Sequence, residues 1–335
     1  MRAAVFIKAG QPLELQDLPE PTPGPGEVVL RVERCGICGT DLHMTEGHAM
    51  AFPPGFIPGH ESGTEVVAVG KGVDTLKIGD HVVPHPMRGC GKCADCLAGS
   101  PYFCSQTSMC SGGYGQYMVT GAATCVRLPK TLSLADAAIV EPMAVGLLGI
   151  DINPFPPGAR IVVLGAGPIG LASIFWARRT GAGRIVAVAS SRRREALAQT
   201  MGADAFYTMS DTLTAELTEY LGGSPDVVIE CVGNPGMIDK AVEIVKPRGS
   251  VTVLGLCVHS DPWMPAMALV KEVKLQFAVG TNLKQFTHVA DVIAAGHVEP
   301  LAMVTDTISL DQVPATFEAL RARTSQCKVL INPWA

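Results

Sequence analysis

Apolar and polar positions alternate near the start of the chain, in Ala3-Ala4-Val5-Phe6-Ile7 and again in Glu27-Val28-Val29-Leu30-Arg31-Val32, on either side of a Pro/Gly turn from Pro19 to Gly26. A period of two marks strands with one buried face, and the intervening turn makes antiparallel pairing the expectation. Gly63-Thr64-Glu65-Val66-Val67-Ala68-Val69-Gly70 and Gly79-Asp80-His81-Val82-Val83-Pro84 continue the pattern, linked by the turn-rich Lys71-Gly72-Val73-Asp74-Thr75-Leu76. The first part therefore reads as mostly β.

From about Leu132 the period lengthens to that of helices, and after Pro154 strands and helices alternate. Strands are predicted at Arg160 to Leu164, Arg184 to Val188, Asp226 to Glu230, Ser250 to Leu254 and Lys274 to Val279. Helices are predicted at Pro168 to Arg179, Arg192 to Met201, Thr212 to Leu221 and Gly236 to Val245. Short, wholly apolar strands between helices indicate a parallel sheet covered on both faces. Two further helices, near Gln285 to Ala295 and Gln312 to Arg321, and a strand at Lys328 to Ile331 resemble a return to the first domain. The expected organisation is α/β, with a mostly-β domain over 1–148, a doubly wound parallel-sheet domain over 149–283, and a return over 284–335.

The first predicted strand of the alternating part runs directly into Gly165-Ala166-Gly167-Pro168-Ile169-Gly170. At a strand-to-helix junction this spacing lets backbone amides approach a pyrophosphate at the positive end of the helix, so Gly165, Gly167, Pro168, Ile169 and Gly170 are candidate dinucleotide contacts. A carboxylate about 20 residues further on, at the end of the second strand, would bind the adenosine ribose 2′-hydroxyl. Here Ala189 is followed by Ser190, Ser191, Arg192, Arg193 and Arg194. Hydroxyls and guanidinium forks suit a 2′-phosphate, which favours NADP(H) over NAD(H), while arginines on a solvated first helical turn are the alternative. Val232, Leu256, Val279 and Gly280 follow later strands, on the edge where a cofactor is expected.

Cys90, Cys93, Cys96 and Cys104 are separated by two, two and seven residues in a glycine-rich stretch. Four thiolates so spaced close a tetrahedron around zinc and leave no position open for chemistry, so the lobe at 88–106 is expected to be structural; an iron–sulfur cluster or a redox disulfide uses similar spacings. An open metal site needs other donors. Cys38, in Cys35-Gly-Ile-Cys38-Gly-Thr40-Asp41-Leu-His43, offers a thiolate, and Gly59-His60-Glu61 offers an imidazole and a carboxylate, although a His-Glu pair at a strand entry is by itself more often a surface hydrogen-bonded pair.

Composition narrows the class. In 335 residues a formal net charge of -5, with acids and bases mixed, argues against a nucleic-acid or membrane-surface partner. No segment reaches the roughly 18 apolar residues of a membrane span, and the first residues lack a secretion signal, so a cytoplasmic protein is expected. The 11 cysteines are an odd number with four tightly clustered, which favours metal ligands and free thiols over a disulfide framework.

Together Cys38-Gly-Thr40-Asp41-Leu-His43, Gly59-His60-Glu61, the four-cysteine lobe and GAGPIG, in this order, resemble the zinc-containing medium-chain dehydrogenase/reductase family over essentially the whole chain. The resemblance implies a GroES-like catalytic domain, a Rossmann cofactor domain and two zinc ions per chain. It implies that Cys38 and His60 ligate the catalytic zinc, with Glu61 an exchangeable ligand. Thr40 and His43 match the family's proton relay through the nicotinamide ribose. Val140-Glu141-Pro142-Met143-Ala144-Val145 matches the segment in sorbitol, threonine and bacterial secondary-alcohol dehydrogenases whose glutamate binds the zinc or its water, although Glu141 alone could cap the following helix.

A homodimer or homotetramer and a small alcohol or ketone substrate are implied as well. Met44, Phe52, Met109 and Trp263 are candidate pocket walls, although each taken alone reads first as ordinary core. The run His48-Ala49-Met50-Ala51-Phe52-Pro53-Pro54 and the stretch after Cys104 look shorter and more apolar than in polyol dehydrogenases. That favours an apolar secondary alcohol or ketone, with an NAD-linked polyol or amino-alcohol dehydrogenase as the alternative and a catalytically silent binding protein as the reading from another class. Cys35 and Cys38 have clamp-like spacing, but only Cys38 is expected to bind metal. Cys35→Ser is therefore expected to keep both zinc ions and most activity, whereas Cys38→Ser loses one zinc and the activity, as metal analysis with a parallel rate assay will show.

Overall fold

The computed structural model describes residues 1–47, 51–322 and 324–335; the expectation at His48-Ala49-Met50 lies outside them. Two compact units form, one from Met1–Glu141 and Gly280–Ala335, the other from Pro142–Val279.

In the first unit a mixed sheet of seven strands is ordered Val304–Ser309, Lys328–Asn332, Glu27–Gly36, Glu61–Val69, His81–Pro84 and Cys125–Arg127, with Tyr117–Gly121 also paired to Glu27–Gly36. The predicted alternation is seen in Glu27–Gly36, where Val28, Leu30 and Val32 are fully buried. They join Phe6, Val66, Val82, Tyr114, Phe317 and Ile331 in one core. Lys328–Asn332 lies beside Glu27–Gly36, with Leu330 opposite Gly36 and Ile331 opposite Cys35, while Gly36 faces Glu61 on its other side. This register brings the last strand of the chain alongside the residues that precede Cys38 and follow His60.

The second unit is an all-parallel sheet ordered Ala205–Thr208, Arg184–Ala189, Arg160–Leu164, Val227–Glu230, Ser250–Val253 and Lys274–Phe277. Numbered along this unit, the order is third, second, first, fourth, fifth, sixth, the doubly wound arrangement whose strand order reverses between the first and fourth strands. Arg160–Leu164 and Pro168–Arg179 match their predicted bounds. Ala205–Thr208, with only one fully buried side chain, is a strand that periodicity did not reveal. The helix expected from Arg192 begins as a 3-10 turn, Arg192–Arg194, and becomes α-helical only over Glu195–Thr200. Three arginines at a helix start, where the dipole disfavours cations, fit that delay.

Asp226 pins the two strands at the reversal. Its carboxylate accepts from the Arg160 amide (2.8 Å), the Arg160 guanidinium (3.0 and 3.2 Å) and Lys246 Nζ (2.6 Å), just before Val227 pairs with Ile161. Burial by itself would raise the pKa of this carboxyl, but the bonds from Arg160 and Lys246 outweigh it and hold it well below the usual range. A depressed folded-state pKa gives stability that is full above the unfolded value of about 4 and is lost as pH falls through the folded value. Asp226→Asn is expected to cost about 2 kcal/mol at neutral pH. The difference from wild type should shrink toward pH 2 in denaturant unfolding.

Candidate active site

The donors gather at one end of the Glu27–Gly36 and Glu61–Val69 pair, where Cys38 follows Gly36 and His60 precedes Glu61. Cys38, in extended conformation (φ −101°, ψ 146°), is the N-cap of the short helix Gly39–Met44 and makes no side-chain capping bond, leaving its sulfur available. Gly59 adopts φ +96°, and a β-carbon there would collide with the ring of Tyr114; only glycine permits the turn that delivers His60. Ligand atoms of Cys38, His60 and Glu61 lie within 4.8 Å of one another. Glu141 falls outside that group but is 6% exposed, and burial pushes its carboxyl up to about 7, with the charges of His60 and Glu61 also felt.

Charge balance favours a cation here. Asp41, Glu61 and Glu141 are buried acids next to a candidate thiolate, and Lys328 is the one buried lysine or arginine among the described residues. Lys328 Nζ donates to both oxygens of Glu61 (2.7 and 2.5 Å) and to the Ile37 carbonyl (3.1 Å). Burial disfavours the ammonium, but Glu61 and the other nearby acids overcome this and raise its pKa. Gly36 makes room for the pair, since a β-carbon there would strike the Glu61 carboxylate. Burial likewise favours neutral His60, yet Asp41 and Cys38 raise its pKa well above the ordinary imidazole value. A bound divalent ion would relieve this excess of negative charge, and the thiolate, imidazole and carboxylate donor set suits zinc.

Thr40 and His43 sit three residues apart on the helix after Cys38 and so share a face. His43 Nδ1 lies 3.5 Å from Glu46, which approaches Arg321 at 3.6 Å. Arg321 also donates to the Leu42 carbonyl (2.9 Å) and to Thr45 Oγ1 (2.7 Å), so the returning segment clamps the end of this helix. Cys35 is fully buried in the core, its thiol pushed up to about 12 by burial, and stands apart from the metal group.

Cys90, Cys93, Cys96 and Cys104 also bring their sulfurs within 4.8 Å of one another. Cys104 Sγ accepts from the amides of Cys90 and Gln106, each at 3.3 Å. Backbone amides of Lys92 and Cys93 pull the Cys90 thiol down to about 6. Leu97 and Phe103 of this lobe remain exposed, so it has little apolar core and needs a metal to hold its shape. The lobe supports Gly280, whose φ of +78° sets it against the Tyr102 ring, and Gly99 O accepts from Leu283 N (2.9 Å).

In the second unit, Gly165 has φ +102°, and a β-carbon on Gly170 would collide with the Gly165 carbonyl. Gly167 is the N-cap and Pro168 the first residue of Pro168–Arg179, with Ile169 next, so the predicted phosphate turn is formed. Ser190 and Ser191 follow Arg184–Ala189. Arg192 pairs with Glu195 (2.6 Å), Arg193 is exposed, and Arg194 donates to Ala166 O (3.3 Å). Val232, Leu256 and Val279 lie on the carboxyl side of the sheet as exposed apolar residues, a suitable surface for an aromatic ring. Glu230, which sequence reasoning passed over, accepts from the Val232 (2.6 Å) and Gly233 (2.9 Å) amides and fixes that loop.

Comparison with known proteins agrees with both units. Residues 24–130 match the model of the alcohol dehydrogenase GroES-like domain, and residues 168–295 that of the zinc-binding dehydrogenases. A sorbitol dehydrogenase of Bacillus subtilis is 30% identical over 99% of this chain and 97% of its own. The chain belongs to the zinc-containing medium-chain dehydrogenase/reductase family. An L-threonine 3-dehydrogenase of Pyrococcus horikoshii is 33% identical over 76% of each chain. The crystal structure of 2R,3R-butanediol dehydrogenase from Bacillus subtilis superposes with a TM-score of 0.86, at 28% identity over 99% of each chain. The protein is thus a zinc-dependent, NAD(P)-linked alcohol dehydrogenase, and among its described residues no helix is long and apolar enough to cross a membrane.

One cation of this dehydrogenase escaped the sequence reading. Lys328 was visible only as a lone cation entering an apolar strand, and nothing local tied it to Glu61. Of the pocket-wall candidates, Phe52, Met44 and Met109 follow the core alternative: they belong to or pack on the core of the first unit, where Phe52 stacks on Phe56 at 4.2 Å. Their apolar character therefore serves packing. Lys328→Met leaves Glu61 buried without its cation and is expected to destabilise the protein by about 3–5 kcal/mol. Adding Glu61→Gln should recover part of that loss in denaturant unfolding.

Proposed function

We propose that this dehydrogenase interconverts a secondary alcohol bearing a neighbouring hydroxyl or amino group with the corresponding ketone, using NADP(H). The observation that carries the reading is the convergence of the Cys38, His60 and Glu61 ligand atoms within 4.8 Å of one another. The substrate class rests on the relatives: sorbitol, threonine and 2,3-butanediol share an alcohol carbon next to a carbon that bears a second heteroatom. With Phe52, Met44 and Met109 committed to the core, little remains in favour of a purely apolar ketone.

Cys38, His60 and Glu61, with Glu141 behind them, would hold zinc, which supplies Lewis acidity toward the substrate oxygen while the nicotinamide supplies or accepts the hydride. Thr40 would hydrogen-bond the reacting hydroxyl and relay its proton, releasing its own hydroxyl proton as it accepts one. His43, on the same helical face, carries that proton outward, and Glu46 and Arg321 hold this outer end in place. Cys90, Cys93, Cys96 and Cys104 would hold the second, structural zinc. The preference for NADP(H) follows from the absence of a carboxylate at Ala189-Ser190-Ser191 and from the Ser190, Ser191, Arg192 and Arg193 donors that stand there instead.

Catalytic efficiencies for vicinal diols, β-hydroxy-α-amino acids and isolated secondary alcohols, each with both cofactors, test the reading. The expected order places diols or amino alcohols first and NADP above NAD. A tenfold advantage of NAD would overturn the cofactor assignment, and equal rates with isolated alcohols would overturn the substrate class.

A further inference from the structure

Three segments distant in sequence meet at one buried aromatic residue. Tyr114 has no exposed surface. Its amide donates to Pro58 O (3.0 Å), its carbonyl accepts from Ala4 N (2.9 Å), and its ring presses on Gly59. Its hydroxyl donates to Asp41 Oδ2 at 2.7 Å. Asp41, also without exposed surface, sits on the helix capped by Cys38, and its other oxygen, Oδ1, lies 3.4 Å from His60 Nδ1. One side chain thereby touches both the turn that delivers His60 and the helix that follows Cys38.

The hydroxyl has a specific consequence. A carboxylate rotates freely about its last bond unless both oxygens have partners, and a ligating imidazole needs a fixed tautomer with its second nitrogen facing an acceptor. Tyr114 occupies Oδ2 and so turns Oδ1 toward Nδ1 at ion-pair distance, and neither of these two buried atoms makes a hydrogen bond. With Nδ1–H directed at Asp41, Nε2 is the nitrogen left for a metal.

The geometry points to Tyr114 as a positioning residue for the open metal site, acting through Asp41 on His60. The assignment rests on Cys38 and His60 being ligands, as proposed above. Pure packing is separable from it: the contact with Gly59 and the edge-to-face contact with Phe317 (ring centroids 6.2 Å apart) use the ring, which Tyr114→Phe retains.

The test follows zinc transfer from the full-length, two-zinc protein to a chelator. In Tyr114→Phe the open-site zinc is expected to bind about tenfold more weakly, with the four-cysteine zinc unchanged and the variant still folded, although its thermal transition falls because a buried Asp41 oxygen loses its donor. Asp41→Asn should show at least as large a loss, and the double variant no more than Asp41→Asn alone, because the hydroxyl acts through that carboxylate. Open-site zinc held within twofold of wild type in Tyr114→Phe overturns the assignment, as does an unfolded variant or equal loss of both zinc ions, which would mark a packing role. Cys38→Ser tests the ligand reading separately: if it keeps two zinc ions, the site itself is misassigned whatever Tyr114→Phe does.

Discussion

The first unit is organised around the burial of negative charge. Asp41, Glu61 and Glu141 are withdrawn from water in one region, where an unpaired carboxylate costs several kcal/mol, and each needs compensation. Lys328 answers Glu61, Tyr114 answers one oxygen of Asp41, and a divalent cation at Cys38, His60 and Glu61 would answer much of the rest. Much of the surrounding structure serves this cluster. Gly36 and Gly59 make space for it, the last strand of the chain returns to supply Lys328, and Arg321 fixes the helix that carries Thr40 and His43. A site so charged without its ion is unstable, which links metal binding to folding.

The second unit meets a different demand, the approach of a dianionic pyrophosphate to backbone amides. Its solution uses few polar side chains. Gly165 and Gly170 bring strand and helix together, Asp226 holds the two strands at the order reversal in register, and Glu230 ties down the next loop. Here the chemistry is carried by backbone geometry, so its signature is a short spacing of glycines. In the first unit the chemistry is carried by side chains from several strands and turns, and its signature is scattered.

That difference accounts for what could be read from the chain. Arg160–Leu164 and Pro168–Arg179 were legible to the residue because apolar periodicity and glycine spacing are local properties. The four-cysteine lobe was legible for the same reason, since its ligands lie within one short loop. Ala205–Thr208 was not, because an edge strand with little burial lacks a strong pattern. Phe52, Met44 and Met109 stayed open between pocket and core, since an apolar residue that lines a pocket and one that fills a core look alike in sequence.

By itself the sequence determined the two architectures, the glycine turn and the clustered cysteines, which depend on neighbours within a few residues, while Cys38 and His60-Glu61, in separate segments, stood out as one donor set only through the resemblance. Only the tertiary structure decided how those donors are held. Lys328 reaches Glu61 across 267 positions, and Tyr114 reaches Asp41 across 73. Such partners are chosen by strand register and by the need to satisfy buried charge, conditions that exist only once the chain has folded.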